Sequence, residues 1–236
     1  MTSHRNDLDQ PIGAPVLDWT ARPHPDGRTL AGRFCRLERL DPDGHGADLF
    51  AADSADREGR SWTYLPYGPF AGVGDYMGWL RAQAALSDPF FYTIVEAEGG
   101  KPVGLASYLR IAPEAGAIEV GHLHFSPALQ RRPAATEAMA LMMAHAFEDL
   151  GYRRYEWKCN ALNAASCRAA ERLGFTFEGV FRQAGVVKGH NRDTAWYSIL
   201  DHEWPGMKRA FESWLSPGNF EEDGTQRRAL RDFRPA

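Results

Sequence analysis

The sequence predicts a mixed α/β (α+β) fold built around one main domain, on three observations. The apolar run Ile118 to Phe125 ends at Ser126-Pro127 and leads into a helix with Met139, Met142, Met143, Ala146, Phe147 and Leu150 on one face. A second strand-like run, with Tyr155, Trp157 and Cys159 alternating against Arg154, Glu156 and Lys158, is followed by another short helix. The chain has 236 residues and is 44% hydrophobic, enough for one substantial core.

Residues 1–24 contain Pro11, Pro15 and Pro23 and read as an arm with little regular structure. The main domain is expected over 25–215. Arg28 to Leu40 predicts a first strand, and Asp41-Pro42-Asp43-Gly44 turns it into a helix through Leu49 and Phe50. A second helix is expected from Gly72 to Leu86. Phe91 to Val95, the turn Gly99-Gly100 and Val103 to Ile111 predict a hairpin that feeds the Ile118 strand. The methionine-rich helix should stop at Gly151, which tolerates the left-handed conformation of a helix end. Asn163 is the expected N-cap of the following helix and Gly174 its C-terminal stop. Phe175 to Arg182 and Thr194 to Leu200 complete the strands, and Pro205 to Leu215 predicts a last helix. Residues 216–236 are polar and Arg-rich, and a mobile tail is expected there.

Composition narrows the function. With 27 basic and 31 acidic residues the net charge is −4, which gives no general reason to bind nucleic acid. No run approaches the roughly 18 apolar residues of a membrane-spanning helix, and residues 1–19 lack the apolar core of a signal peptide. The three cysteines, Cys35, Cys159 and Cys167, have no metal-ligand spacing, and an odd count argues against a disulfide framework. No metal is expected, and a reducing cytoplasm is the expected location.

The most informative stretch is Gln130-Arg131-Arg132-Pro133-Ala134-Ala135-Thr136-Glu137. It joins a strand to a helix start, so unpaired backbone amides and the positive end of the helix dipole point beyond the strand, with two arginines beside them. A pyrophosphate suits that arrangement. The plainer reading is an ordinary turn with solvated arginines.

Taken together, these segments resemble the GCN5-related N-acetyltransferase (GNAT) superfamily and its RimJ/RimL-like branch. The resemblance is carried by Ile118-Glu119-Val120-Gly121, Gln130 to Glu137, Asn163 and Ser166, Leu173-Gly174-Phe175, Glu178-Gly179, Asp193 and Glu203-Trp204. It implies the GNAT fold, a mixed and mostly antiparallel sheet splayed at an acyl-coenzyme A site and flanked by helices. It also implies acetyl-CoA as cosubstrate and transfer of the acetyl group to a primary amine. One departure stands in the loop: Pro133 occupies the first glycine position and lacks an N–H, while Ala135 keeps the second small position.

The resemblance also suggests roles. Leu123, His124 and Phe125 would contact the cofactor through backbone; Gln130, Arg131, Arg132, Ala134, Ala135 and Thr136 would hold the pyrophosphate, with Asn163 and Ser166 near the sulfur. Glu119 is the candidate general base, with His122 and His124 as rivals, and Ser166 the candidate proton donor to the thiolate. Glu119 could equally be a paired strand glutamate and Ser166 a capping residue. The aromatic segment with Trp62, Tyr64, Tyr67 and Phe70 would wall the acceptor pocket, unless it is packing, with Arg182 opposite. The expected acceptor is a small-molecule amine or a free peptide N-terminus, and a second copy of the chain is an admissible partner. The alternative reading is a weak or inactive acyl-CoA-binding sensor on the same fold.

Overall fold

The computed structural model describes residues 4–235. Two short strands, β1 (His4–Arg5) and β2 (Pro11–Ile12), pair in the arm. Farther along, Trp19 Nε1 donates to the Glu114 carbonyl and the Trp19 ring takes a cation–π contact from Arg22, so the arm is docked on the domain.

The main sheet contains β3 (Leu30–Ala31), β4 (Cys35–Arg39), β5 (Phe90–Glu96), β6 (Pro102–Ala112), β7 (Ala117–Phe125), β8 (Arg154–Asn160), β9 (Thr176–Val187) and β10 (His190–Leu200). Their order is β3-β4-β5-β6-β7-β8-β10-β9, and every pairing is antiparallel except β7 with β8. The single parallel pair is joined by the helical crossover that parallel strands require. Helices α1 (Pro42–Asp53) and α2 (Val73–Ala84) cover one face over Leu40, Leu49, Trp62, Tyr76, Leu80, Phe91 and Leu105. The larger core lies under α3 (Pro133–Ala144), α4 (Ala164–Arg172) and α5 (Trp204–Leu215).

Three local differences from the sequence reading have physical causes. The expected strand over Arg28–Leu40 is a hairpin broken at Gly32-Arg33. There the buried Glu137 carboxylate of α3 accepts hydrogen bonds from the backbone amides of Arg33 (2.8 Å), Phe34 (2.6 Å) and Cys35 (2.8 Å). A Cβ at Gly32 would lie 2.4 Å from that carboxylate, so this turn needs glycine. The methionine-rich helix continues past Ala144 as a π-helical turn, His145–Asp149, before Gly151 at φ +72°.

The third difference is in the segment after α5, which is packed. Leu230 is buried in the main core, the Asn219 amide donates to the Trp214 and Arg228 carbonyls, and Gln226 accepts from Trp214 Nε1. Isolated apolar residues in a polar sequence, here Phe220, Leu230 and Phe233, anchor a segment that composition alone assigns to solvent.

Candidate active site

The site begins with backbone geometry. Strands β7 and β8 pair from Ala117–Arg154 to Val120–Trp157 and then separate. The cause lies in β7: Gly121 and His124 oppose Ser107 and Leu105, so β7 carries one extra residue, with His122 at φ +49°. Such a bulge bends a strand and re-aims its side chains. Beyond it, Gly121 to Phe125 have no β8 partner, and two cavities open with Trp157 lining both.

The first cavity, about 920 Å³, includes Phe125, Gln130, Arg131, Arg132, Pro133, Ala135 and Thr136 in its lining. The α3 N-cap is Arg132, without a side-chain cap, and Pro133 is the first helical residue. Arg131 adopts φ +61°, and neither its amide nor that of Ala134 has a partner among the described residues. Those two free donors offset the one that Pro133 lacks. Gln130 turns back, donating to the Phe125 carbonyl at 2.8 Å, and fixes the loop to the strand end. Ala134 is buried, so only its amide could serve a ligand.

Sequence reasoning missed three parts of this wall. Arg168 and Arg172 project from successive turns of α4 into the cavity, a signal present in their i, i+4 spacing. Arg172 donates to Thr136 Oγ1 at 3.0 Å and stacks over Trp214. The loop Asp223 to Gln226 closes the opposite side, which no local pattern announces.

The second cavity, about 330 Å³, is lined in part by Ser61, Tyr64, Arg110, Glu119, His122, Leu123, Lys158, Asn163, Ser166 and Arg192. Glu119 is buried, and its Oε1 accepts from Arg110 at 2.7 Å. Lys158 Nζ lies 2.9 Å from its Oε2, close enough for strong attraction although off the hydrogen-bond angle, and 2.7 Å from Glu156. Burial pushes the Glu119 pKa up, with Lys158 and Arg110 pulling the other way. Burial, reinforced by Arg110 and Arg192, holds His122 down at about 4, so its ring is neutral near pH 7. Asn163 caps α4 by accepting from the Ser166 amide at 3.1 Å, and Ser166 Oγ accepts from Trp157 Nε1 at 3.0 Å, which leaves its own proton free to be donated.

Several expected residues lie elsewhere. The His124 side chain enters neither cavity: it is buried, stacked 3.7 Å from Trp62, with Nε2 2.9 Å from Ser61 Oγ and Nδ1 3.2 Å from Asp53. Trp62 is core, and Phe70 packs edge-on against it at 5.4 Å, so these two do not wall the acceptor pocket. Aromatic side chains this large bury more area against one another than a pocket wall would allow. Tyr67 faces inward, its hydroxyl 2.8 Å from His122 Nδ1, and only Tyr64 of the four lines the cavity. Arg182 sits on exposed β9 in a separate depression with Gln183 and Asp193. Arg192, on the neighbouring strand, reaches the cavity instead. The β9–β10 turn that carries these strands is fastened down by Lys188, whose Nζ donates to the Trp62 and Gly68 carbonyls at 2.8 and 2.7 Å.

A strap of arginines around a helix start thus stands beside a buried, cation-paired glutamate at a strand splay. The chain belongs to the acetyltransferase (GNAT) domain family, whose profile matches residues 36–176, and acyl transfer is the chemistry of that family. It is similar to a GCN5-related N-acetyltransferase from Brucella melitensis, 46% identical over 93% of this chain and 99% of that one, with a TM-score of 0.91. A GNAT-family protein of Chromobacterium violaceum ATCC 12472 is 41% identical over 83% of this chain and 98% of that one, with a TM-score of 0.77. YdaF of Bacillus subtilis (strain 168), provisionally named a ribosomal N-acetyltransferase, is 36% identical over 73 residues, 31% of this chain and 40% of that protein. Each of the curated relatives is matched over less than two thirds of its own length. Among the described residues no helix is long and apolar enough to cross a membrane, and no group of three or more His, Cys, Asp or Glu residues is arranged to hold a metal.

Proposed function

We propose that the protein is an acetyl-CoA-dependent N-acetyltransferase. The observation that carries this reading is the pair of cavities meeting at Trp157, one rimmed by four arginines and a helix N-terminus, the other holding Glu119 and Ser166. Acetyl-CoA supplies a thioester whose carbonyl carbon an amine attacks as the C–S bond breaks. Arg131, Arg132, Arg168 and Arg172, with the free amides of Arg131 and Ala134, would hold its phosphates. The unpaired edge of β7 from Gly121 to Phe125 would orient the pantetheine arm. Glu119 would take the proton from the arriving ammonium, which can displace Arg110 from Oε1 because the Arg110 side chain is largely exposed. Ser166 would give its proton to the departing sulfur and be reprotonated by the second proton that the nitrogen sheds as the amide forms.

Thiol release from acetyl-CoA, measured across small amines and peptide N-termini with the acetylated product identified by mass, tests this function. Replacing Arg131 and Arg132 together by alanine is expected to weaken acetyl-CoA binding at least tenfold, since each charge-assisted hydrogen bond is worth about 1.5–3 kcal/mol. An unchanged Kd would place the pyrophosphate elsewhere. Binding without turnover for every amine would favour a sensor.

A further inference from the structure

The second cavity carries more positive charge than its own residues neutralise. Arg110, Lys158 and Arg192 line it against a single acid, Glu119. Arg110 and Lys158 are satisfied: both meet Glu119, and Lys158 also meets Glu156. Arg192 has no ionic partner among the described residues, and its Nε is buried without a hydrogen bond. The nearest acid in sequence cannot help, because Asp193 is turned to the other side of β10, accepting from the Gln183 amide at 2.7 Å and the Asn191 side chain at 3.0 Å. A guanidinium N–H taken out of water without a partner is costly, and an arriving anion would offset that cost.

The rest of the wall is consistent with an incoming anion. His122 is neutral and its Nδ1 shares a hydrogen bond with the Tyr67 hydroxyl at 2.8 Å; in the tautomer where that hydroxyl donates, Nε2 carries the ring hydrogen as a donor. Asn160 adds a side-chain amide. The cofactor does not supply the missing charge. Its phosphates belong to the arginine-rich cavity across Trp157, and the pantetheine arm that reaches the splay is uncharged.

We propose that the acceptor is a compact amino acid or other small amino carboxylate, its amine at Glu119 and its carboxylate held by the Arg192 guanidinium. This rests on the N-acetyltransferase reading and names the substrate class of that site. The planar fork of arginine matches a carboxylate with two parallel hydrogen bonds, and a volume of about 330 Å³ fits a molecule of that size. Trp62 and Phe70 line a different cavity, on the far side of the Ser61–Pro69 segment, and take no part in this one.

The test compares matched acceptors, a series of amino acids with their amides and their decarboxylated amines, in initial-rate assays with acetyl-CoA. A second readout is thermal stabilisation of the CoA-bound protein by each compound. The acids are expected to exceed their amides at least tenfold in kcat/KM and to stabilise the protein where the amides do not. Arg192→Gln should bring the acid-to-amide ratio toward one, and Arg192→Lys should restore part of it. Amides and simple amines turned over as well as the acids, or an Arg192→Gln variant that slows acid and amide alike, would overturn the carboxylate assignment and leave the acetyltransferase function standing. Arg192-dependent binding of the acids with no acetyl transfer would retain the anion site and refute the transferase. Neither binding nor turnover would refute both.

Discussion

Glu119→Gln is expected to lower kcat by ~10- to 10⁴-fold with the true acceptor while leaving the Kd for acetyl-CoA nearly unchanged, the signature of a lost general base. The carboxylate lies in the second cavity, which shares only Trp157 with the arginine-rich one, so its replacement touches none of the four arginines. Its pH dependence has a definite sign. Burial pushes the Glu119 pKa above its ordinary value against the pull of Lys158 and Arg110. A base works only when deprotonated, so kcat/KM should fall as pH drops through that raised pKa and level off above it. The glutamine variant should lose this acid limb along with its rate. A variant that keeps both, with a melting temperature close to that of the parent, would move the base to another group.

Glu137→Ala should be the most destabilising single change outside the apolar core. The carboxylate accepts from three consecutive amides, those of Arg33, Phe34 and Cys35, and alanine leaves all three without a partner beneath α3. A fully buried unsatisfied donor costs about 1–3 kcal/mol; the Cys35 amide is buried and those of Arg33 and Phe34 partly so, and a loss of about 3–6 kcal/mol is expected, below the full sum for three buried donors. For a domain of this size that corresponds to a melting temperature lower by ~10 °C or more. Glu137→Gln should fall between, because an amide keeps one acceptor oxygen and turns an N–H toward the remaining donors. A drop of under ~2 °C for the alanine variant in a calorimetric scan would show that water replaces the carboxylate.

Helix starts and stops were legible in the sequence because their signals are local. Asn163 caps α4 through its own side chain, Pro133 fits the first position of α3, and Gly151 and Gly174 adopt the positive φ that ends a helix. The strand-to-helix junction at Gln130–Thr136, with its two arginines beside the helix start, was legible for the same reason. What stayed hidden depends on residues far apart in the chain. Nothing near Arg192 indicates that Asp193 is engaged by Gln183, and nothing near Trp62 indicates that His124, Phe70 and Tyr76 enclose it. Arg182 and Arg192 have similar local sequence character, and only the pairing of β9 with β10 puts one on the outer strand and the other at the cavity. The break between β3 and β4 was equally invisible, since its cause is a glutamate about a hundred residues away.

The loop from Asp223 to Gln226 gives closure of the arginine-rich cavity a place in the order of synthesis. Every strand of the sheet, the bulge at His122, the arginines just before α3 and those of α4 emerge from the ribosome before that loop does. A nascent chain can therefore complete its sheet and present Glu119 while one side of the arginine-rich cavity is still open. Completing the sheet and closing this cavity draw on different stretches of chain, the second on the segment that Phe220 and Leu230 seat against α5 and the core.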